Sequence, residues 1–249
     1  MITDSFEANV PAIMGPGDFY GEQRHICDIC ILTFSPKILN NVLEEFECAE
    51  AATLSSVNGS RTAYTFLAGD KRVGIFMVDV GSAMASSDVI ELNWLVGASK
   101  FIMFGSAGSL NSDITTGKYV IPTHAYRDEG MSYHYAPPSD YIEIKNSARV
   151  RQIMDELRLP AVEGKVWTTD AFYRETRSQM QKRQSEGCIA VEMELAGVQA
   201  VCDFYGFELY DFLVTGDVLD KPQYSKGNLR GANHDLDKLY IALEIAERI

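Results

Sequence analysis

Short apolar runs and longer amphipathic stretches alternate along this chain. The runs at residues 26–34, 73–80, 101–104, 119–121, 162–168, 188–191 and 208–214 are of strand length and largely β-branched or aromatic, so each predicts a buried strand. Stretches 37–46, 86–96, 146–157, 174–184, 195–205 and 235–249 place apolar residues three and four apart, which predicts helices with one buried face. Strands alternating with helices predict an α/β fold in which a central mixed sheet is flanked by helices. No linker-like segment, repeat or low-complexity tract divides the 249 residues, so a single domain is expected over residues 1–249.

In sheets of this kind ligands gather at the carboxyl ends of the strands, where loops and helix N-termini converge. The glycine-bearing and polar segments of this chain fall at those predicted ends. Gly81, Ser82 and Ala83 follow one run, Gly105 to Gly108 another, Glu192, Met193 and Glu194 a third, and Thr215, Gly216 and Asp217 a fourth.

Composition narrows the classes. The chain is 46% hydrophobic and 23% charged, enough for a large core. A net charge of -13, with no cluster of Lys and Arg against it, repels nucleic-acid backbones and anionic lipid, so neither is an expected partner. The N-terminus lacks a basic region followed by an apolar one, and no run is long enough to cross a bilayer, which predicts a cytoplasmic protein. Five cysteines, at 27, 30, 48, 188 and 202, lie mostly in apolar patterns and read as reduced, buried thiols. Cys27 and Cys30 have the spacing of a metal or redox pair. No second ligand pair follows, so no metal is expected.

The triplet Glu192, Met193, Glu194 carries the most pointed chemistry. Carboxylates delivered by a buried strand must find donors or lose their charge, which suits a polar ligand such as a sugar, although two exposed acids at an ordinary turn would read the same way. Gly105, Ser106, Ala107 and Gly108 let backbone N–H groups approach an anion or heterocycle, or simply make a tight connection. Partial burial of Asp217 would keep a proton on it near neutrality and make it a general acid; a turn aspartate, as at Asp220, is the alternative. Trp167, Phe172 and Tyr173 suit stacking on a flat base, or core packing. The segment 127–135, with Arg127 and His134, is more polar and aromatic than a passive loop requires.

Taken in chain order, segments 105–108, 127–130, 169–173, 191–194 and 215–217 together resemble the nucleoside phosphorylase-I family of purine nucleoside phosphorylases, uridine phosphorylases and adenosylhomocysteine-type nucleosidases. The resemblance implies that Met193 and Glu194 bind ribose, with Glu192 beside them, and that Asp217 protonates a departing purine at its imidazole nitrogen. It implies that Phe172 and Trp167 pack on the base near Ala107 and Gly108. Ser106 would help to hold phosphate, and Arg61 would be lent to a neighbouring subunit's phosphate site. The implied reaction is phosphorolysis of a nucleoside, a purine one on the strength of Asp217, to free base and ribose 1-phosphate. Phosphate is then a co-substrate, no cofactor is needed, and a homo-oligomer, dimer or hexamer, is expected. A carboxylate near the sugar and an acid near the base stabilise the two charges that develop as an N-glycosidic bond breaks.

The departures concern phosphate. The family's glycine–aspartate–proline loop and nearby arginine after the first strand are replaced by Phe34, Ser35, Pro36 and Lys37, and Met103 stands where a second arginine is expected. Phosphate carries about two negative charges that cations or N–H groups must counter. Lys37, Arg72 and Arg127 are the other candidates. Water is therefore the competing nucleophile, although no acid follows the first strand to activate it, and a nucleoside-binding paralogue without turnover is the alternative outside enzymology. The glutamine and arginine by which uridine phosphorylases read uracil are unmatched after Tyr173, where Arg174, Glu175, Thr176 and Arg177 follow.

Overall fold

The computed structural model describes residues 1–249. All ten strands join one sheet: β1 (Ile29–Thr33), β2 (Ala49–Ser56), β3 (Gly59–Ala68), β4 (Lys71–Met77), β5 (Lys100–Ser109), β6 (Tyr119–Asp128), β7 (Tyr141–Glu143), β8 (Ala161–Thr169), β9 (Cys188–Glu192) and β10 (Glu208–Val218). Six longer helices pack on it: α1 (Pro36–Glu45), α2 (Ser82–Val96), α3 (Ser147–Glu156), α4 (Arg177–Ser185), α5 (Leu195–Tyr205) and α6 (Asp237–Arg248). The α/β expectation holds, with a mixed sheet between two helical layers.

The sheet curls back on itself. β5 pairs with β10 and β9, β10 with β6, β6 with β8, and β8 with β9, so five strands make a ring from which β1, β4, β3 and β2 extend as an arm. Ring closure lengthens the strands beyond their predicted ends. β5 runs through Ser109 and β10 through Val218, so Gly105–Gly108 and Thr215–Asp217 are strand rather than turn, with a bulge between Thr215 and Asp217. Small residues permit this. A Cβ on Gly108, which pairs with both Val191 and Asp217, would lie 2.9 Å from Val191 Cγ1 and 2.6 Å from Leu219 Cδ1.

Strand alternation builds the core on both faces. Phe101 and Met103 of β5 and Cys30 and Leu32 of β1 pack into the cluster beneath α2 and α5; Ile102, Phe104, Ile29 and Ile31 face the cluster under α1, α3 and α6. Fully burying each large apolar side chain contributes about 1.5–3 kcal/mol. Cys27 and Cys30 belong to the first cluster, and a Cβ on Gly74 would lie 3.2 Å from either sulfur. Burial pushes the Cys30 thiol well up and so keeps it protonated.

The hairpin of β2 and β3 is absent from the apolar pattern because its outer strand is polar and mostly exposed. Its mark in the sequence is Asn58–Gly59, a turn dipeptide, with Gly59 at φ 122°. No helix is long and apolar enough to cross a membrane.

Candidate active site

A cleft of about 920 Å³ opens where the carboxyl ends of β1, β5, β9 and β10 meet the segment leading into α4. It contains most of the residues singled out in the sequence: Ser106, Ala107, Gly108, Phe172, Glu192, Met193, Glu194 and Asp217. A second depression, of about 410 Å³, lies between α1 and Leu236 and has none of the buried acids.

β9 delivers its two acids to different tasks. Glu192 Oε2 accepts from the backbone N–H groups of Glu194 and Leu195, both at 2.7 Å, and Oε1 accepts from the Thr168 hydroxyl. Glu192 thus anchors the start of α5, where the helix dipole favours an anion. Glu194, 8% exposed, accepts from Gly81 N–H at 2.7 Å through Oε1. Gly81 sits at φ 108°, a conformation side chains resist, and presents that N–H at the start of α2. Burial raises both carboxyls above the usual range, and the charge of Glu192 raises Glu194 further.

At the far end, Asp217 follows the β10 bulge and is half-buried. Burial raises its pKa, while a hydrogen bond from Tyr224 pulls it partly back. Glu175, beside it, is pushed up to about 7 by burial and by the charge of Asp217. Two carboxyls so placed hold a proton near neutrality, as general acid work requires. Phe172 and Tyr173 lie against each other at the mouth, rings tilted by 38° with centroids 4.0 Å apart, and remain 48% and 88% exposed.

Two expected site residues lie elsewhere. Trp167 is 2% exposed in a core cluster with Leu110, Met180 and Val191, and its Nε1–H donates to Asp128 at 3.0 Å. It packs the core rather than the base, because its strand position turns inward between β6 and β9. Arg61 donates to both oxygens of Asp88, at 2.7 and 2.8 Å, and to Met77 O at 3.1 Å, away from this chain's cleft. Nor do the substitutes enter it. Lys37 lies in the second depression, Arg72 is exposed on β4, and Arg127 braces its own loop through Ser132 and Pro137.

The cleft's own cations are Arg177 and Lys238, and both are engaged. Arg177 donates to Leu219 O and Lys221 O, each at 2.7 Å, and Lys238 Nζ donates to Ala232 O at 2.5 Å. Burial lowers the Lys238 ammonium to about 8. Against them stand Glu175, Glu192, Glu194, Asp211 and Asp217. Ser106 lines the cleft, its hydroxyl donating to Asn233, and Ser35 bonds His234 Nδ1 at 2.8 Å.

Glu175, Asp211, Tyr224 and Lys238 were not singled out in the sequence. Only Asp211 left a distinct signal there, an acid inside an apolar strand run.

The chain belongs to the phosphorylase superfamily, whose family model matches residues 28–242. It is 28% identical to a DeoD-type purine nucleoside phosphorylase of Caldanaerobacter subterraneus subsp. tengcongensis, over 84% of this chain and 88% of the relative. A DeoD-type purine nucleoside phosphorylase of Bacillus velezensis is also 28% identical, over 88% and 94%. Among solved structures, futalosine hydrolase of Helicobacter pylori superposes with a TM-score of 0.72 at 16% identity, covering 90% of this chain and 99% of that one. The 5'-methylthioadenosine/S-adenosyl homocysteine nucleosidase of Campylobacter jejuni gives 0.72 at 18% identity, over 90% and 100%. These structures share the fold. The protein is an enzyme of the phosphorylase superfamily.

Proposed function

We propose that this enzyme cleaves the N-glycosidic bond of a purine nucleoside with water as the nucleophile, giving free base and ribose. The observation that carries the reading is the make-up of the cleft: five carboxyl groups and two cations, both already bonded to carbonyl oxygens. A phosphate dianion there would lose its hydration without a free guanidinium to replace it.

The remaining chemistry follows from the geometry. Glu194 has an oxygen left over from its Gly81 bond to accept from the ribose hydroxyls and to face the positive charge that develops on the sugar. Met193 packs beside it. Asp217, its pKa raised by burial, gives its proton to the departing base, and Glu175 and Tyr224 hold that end polar. Phe172 covers the base at the mouth, and Ala107 and Gly108 leave room for its edge.

Phosphorolysis is the second reading, favoured by the DeoD-type relatives and by Ser106 in the cleft. It would draw its missing cations from a neighbouring subunit. Assembly as a homo-oligomer belongs to either reading, supported by Val80, Phe172 and Tyr173 standing exposed at the mouth; light scattering at micromolar concentration tests it.

The deciding experiment incubates purified protein with inosine, adenosine and uridine, with and without phosphate, and identifies the sugar released. Free ribose at a rate indifferent to phosphate is expected. Ribose 1-phosphate formed only with phosphate would overturn the water reading and establish the phosphorylase. No release from any nucleoside would favour a binding paralogue.

A further inference from the structure

Asp211 lies between Tyr210 and Phe212 in the middle of β10, 1% exposed, and neither of its carboxyl oxygens meets a hydrogen-bond partner within the protein. A buried polar group left unpaired costs stability, so one retained in the lining of a cleft points to a ligand. The strand residues beside it in the cleft lining, Met103, Gly105 and Leu213, carry no polar side chain. Asp211 is in register with Met103 and Leu213 with Gly105, and all four line the cleft.

The three innermost acids differ in how they are satisfied. Glu192 takes three donors from Thr168, Glu194 and Leu195, Glu194 takes the N–H of Gly81, and Asp211 takes none. Burial together with the charges of Glu192 and Glu194 raises Asp211 well above the usual carboxylate range, with no donor to pull it back. A neutral carboxylic acid still accepts through its carbonyl oxygen and donates through its O–H.

We propose that Asp211 holds the attacking water in the floor of the cleft and, by denying that floor any positive charge, selects water over phosphate. The inference rests on the hydrolytic reading above. The water oxygen bonds to ribose C1′ as the bond from C1′ to the base nitrogen breaks, and the bonding pair leaves with the base. Asp217 gives its proton to the base, and the proton lost by water passes to the ionised form of Glu194, a carboxyl that burial and the charge of Glu192 raise to about 8. Asp211 accepts a hydrogen bond from the water and keeps its own proton.

The test compares wild type with Asp211→Leu and Asp211→Asn, using inosine with and without phosphate and reading kcat, KM, thermal midpoint and sugar product. Asp211→Leu should lower kcat about a hundredfold through lost positioning of the nucleophile, with KM held within about threefold. Its thermal midpoint should rise, because a buried unpaired acid has gone. Asp211→Asn, which restores an acceptor and a donor, should recover about tenfold over Asp211→Leu. Should Asp211→Leu not fold, Asp211→Ala supplies the same comparison. Adding Met103→Arg to Asp211→Asn should give ribose 1-phosphate in phosphate buffer. A wild-type protein that makes only ribose, together with an Asp211→Leu protein of full kcat, overturns the role of Asp211 alone. Equal impairment of the leucine and asparagine variants overturns it too. Failure of the Met103→Arg double variant to use phosphate overturns the selection, and a wild-type product of ribose 1-phosphate overturns both readings.

Discussion

Replacing Arg61 by methionine separates two roles for one side chain. Its guanidinium makes two hydrogen bonds to Asp88, at 2.7 and 2.8 Å, lies 3.2 Å from Asp79, and stacks 4.9 Å from the centroid of Phe76. The Asp88 side chain is 3% exposed and that of Arg61 17%. Burial pushes Asp88 up and Arg61 pulls it only partly back, so the pair is not a large net stabiliser. Removing one partner is a different matter, because it strands a buried carboxylate. Such losses run to about 3–5 kcal/mol, and the partial exposure of Arg61 selects the lower end, about 3 kcal/mol. For a chain of this length that lowers the thermal midpoint by about 6–12 °C. Denaturant and thermal unfolding of Arg61→Met measure it, and Arg61→Met with Asp88→Leu should regain most of the loss. A change under about 1 kcal/mol, which is what an exposed pair contributes, would mean that Asp88 is not stranded. A stable variant with weakened phosphate use would instead return Arg61 to the intersubunit phosphate role that the resemblance implied.

Asp217→Asn removes the proton offered to the base and should lower kcat about 10²–10⁴-fold with the fold intact by circular dichroism; activity within threefold, roughly, would remove Asp217 from the mechanism. Gly197→Ala puts a Cβ 2.1 Å from Ser82 Oγ and 2.9 Å from Ser86 Oγ, where α5 crosses α2. That overpacking should cost about 1–3 kcal/mol by denaturant unfolding, and adding Ser82→Gly should relieve part of it. Glu175, Glu192, Glu194, Asp211 and Asp217 all have raised folded-state pKa values, Glu175 about 7. The folded state therefore binds more protons than the unfolded one, and their stabilising contribution, full below the ordinary carboxylate range, is lost as pH rises. The thermal midpoint of the unliganded protein should fall between about pH 5 and pH 8; a midpoint that rises across that interval would contradict the assignment.

Most of the elements and the names of the chemistry are legible along the chain, the β2–β3 hairpin and β7 being the exceptions among the strands. Strands at 188–191 and 208–214 and the helix at 195–205 were legible because burial repeats with the period of the local structure, and Glu194 and Asp217 stood out as acids at the ends of apolar runs. How far those strands run is set by long-range pairing, since closure of the ring draws Gly105–Gly108 and Thr215–Asp217 into the sheet. It also decided which charges are free. Arg61 and Asp88, Gly81 and Glu194, and Met103 and Asp211 are each brought together from well-separated positions in the chain. A local pattern reports whether a side chain faces inward; it carries no record of the distant donor that side chain meets there, or, at Asp211, of there being none.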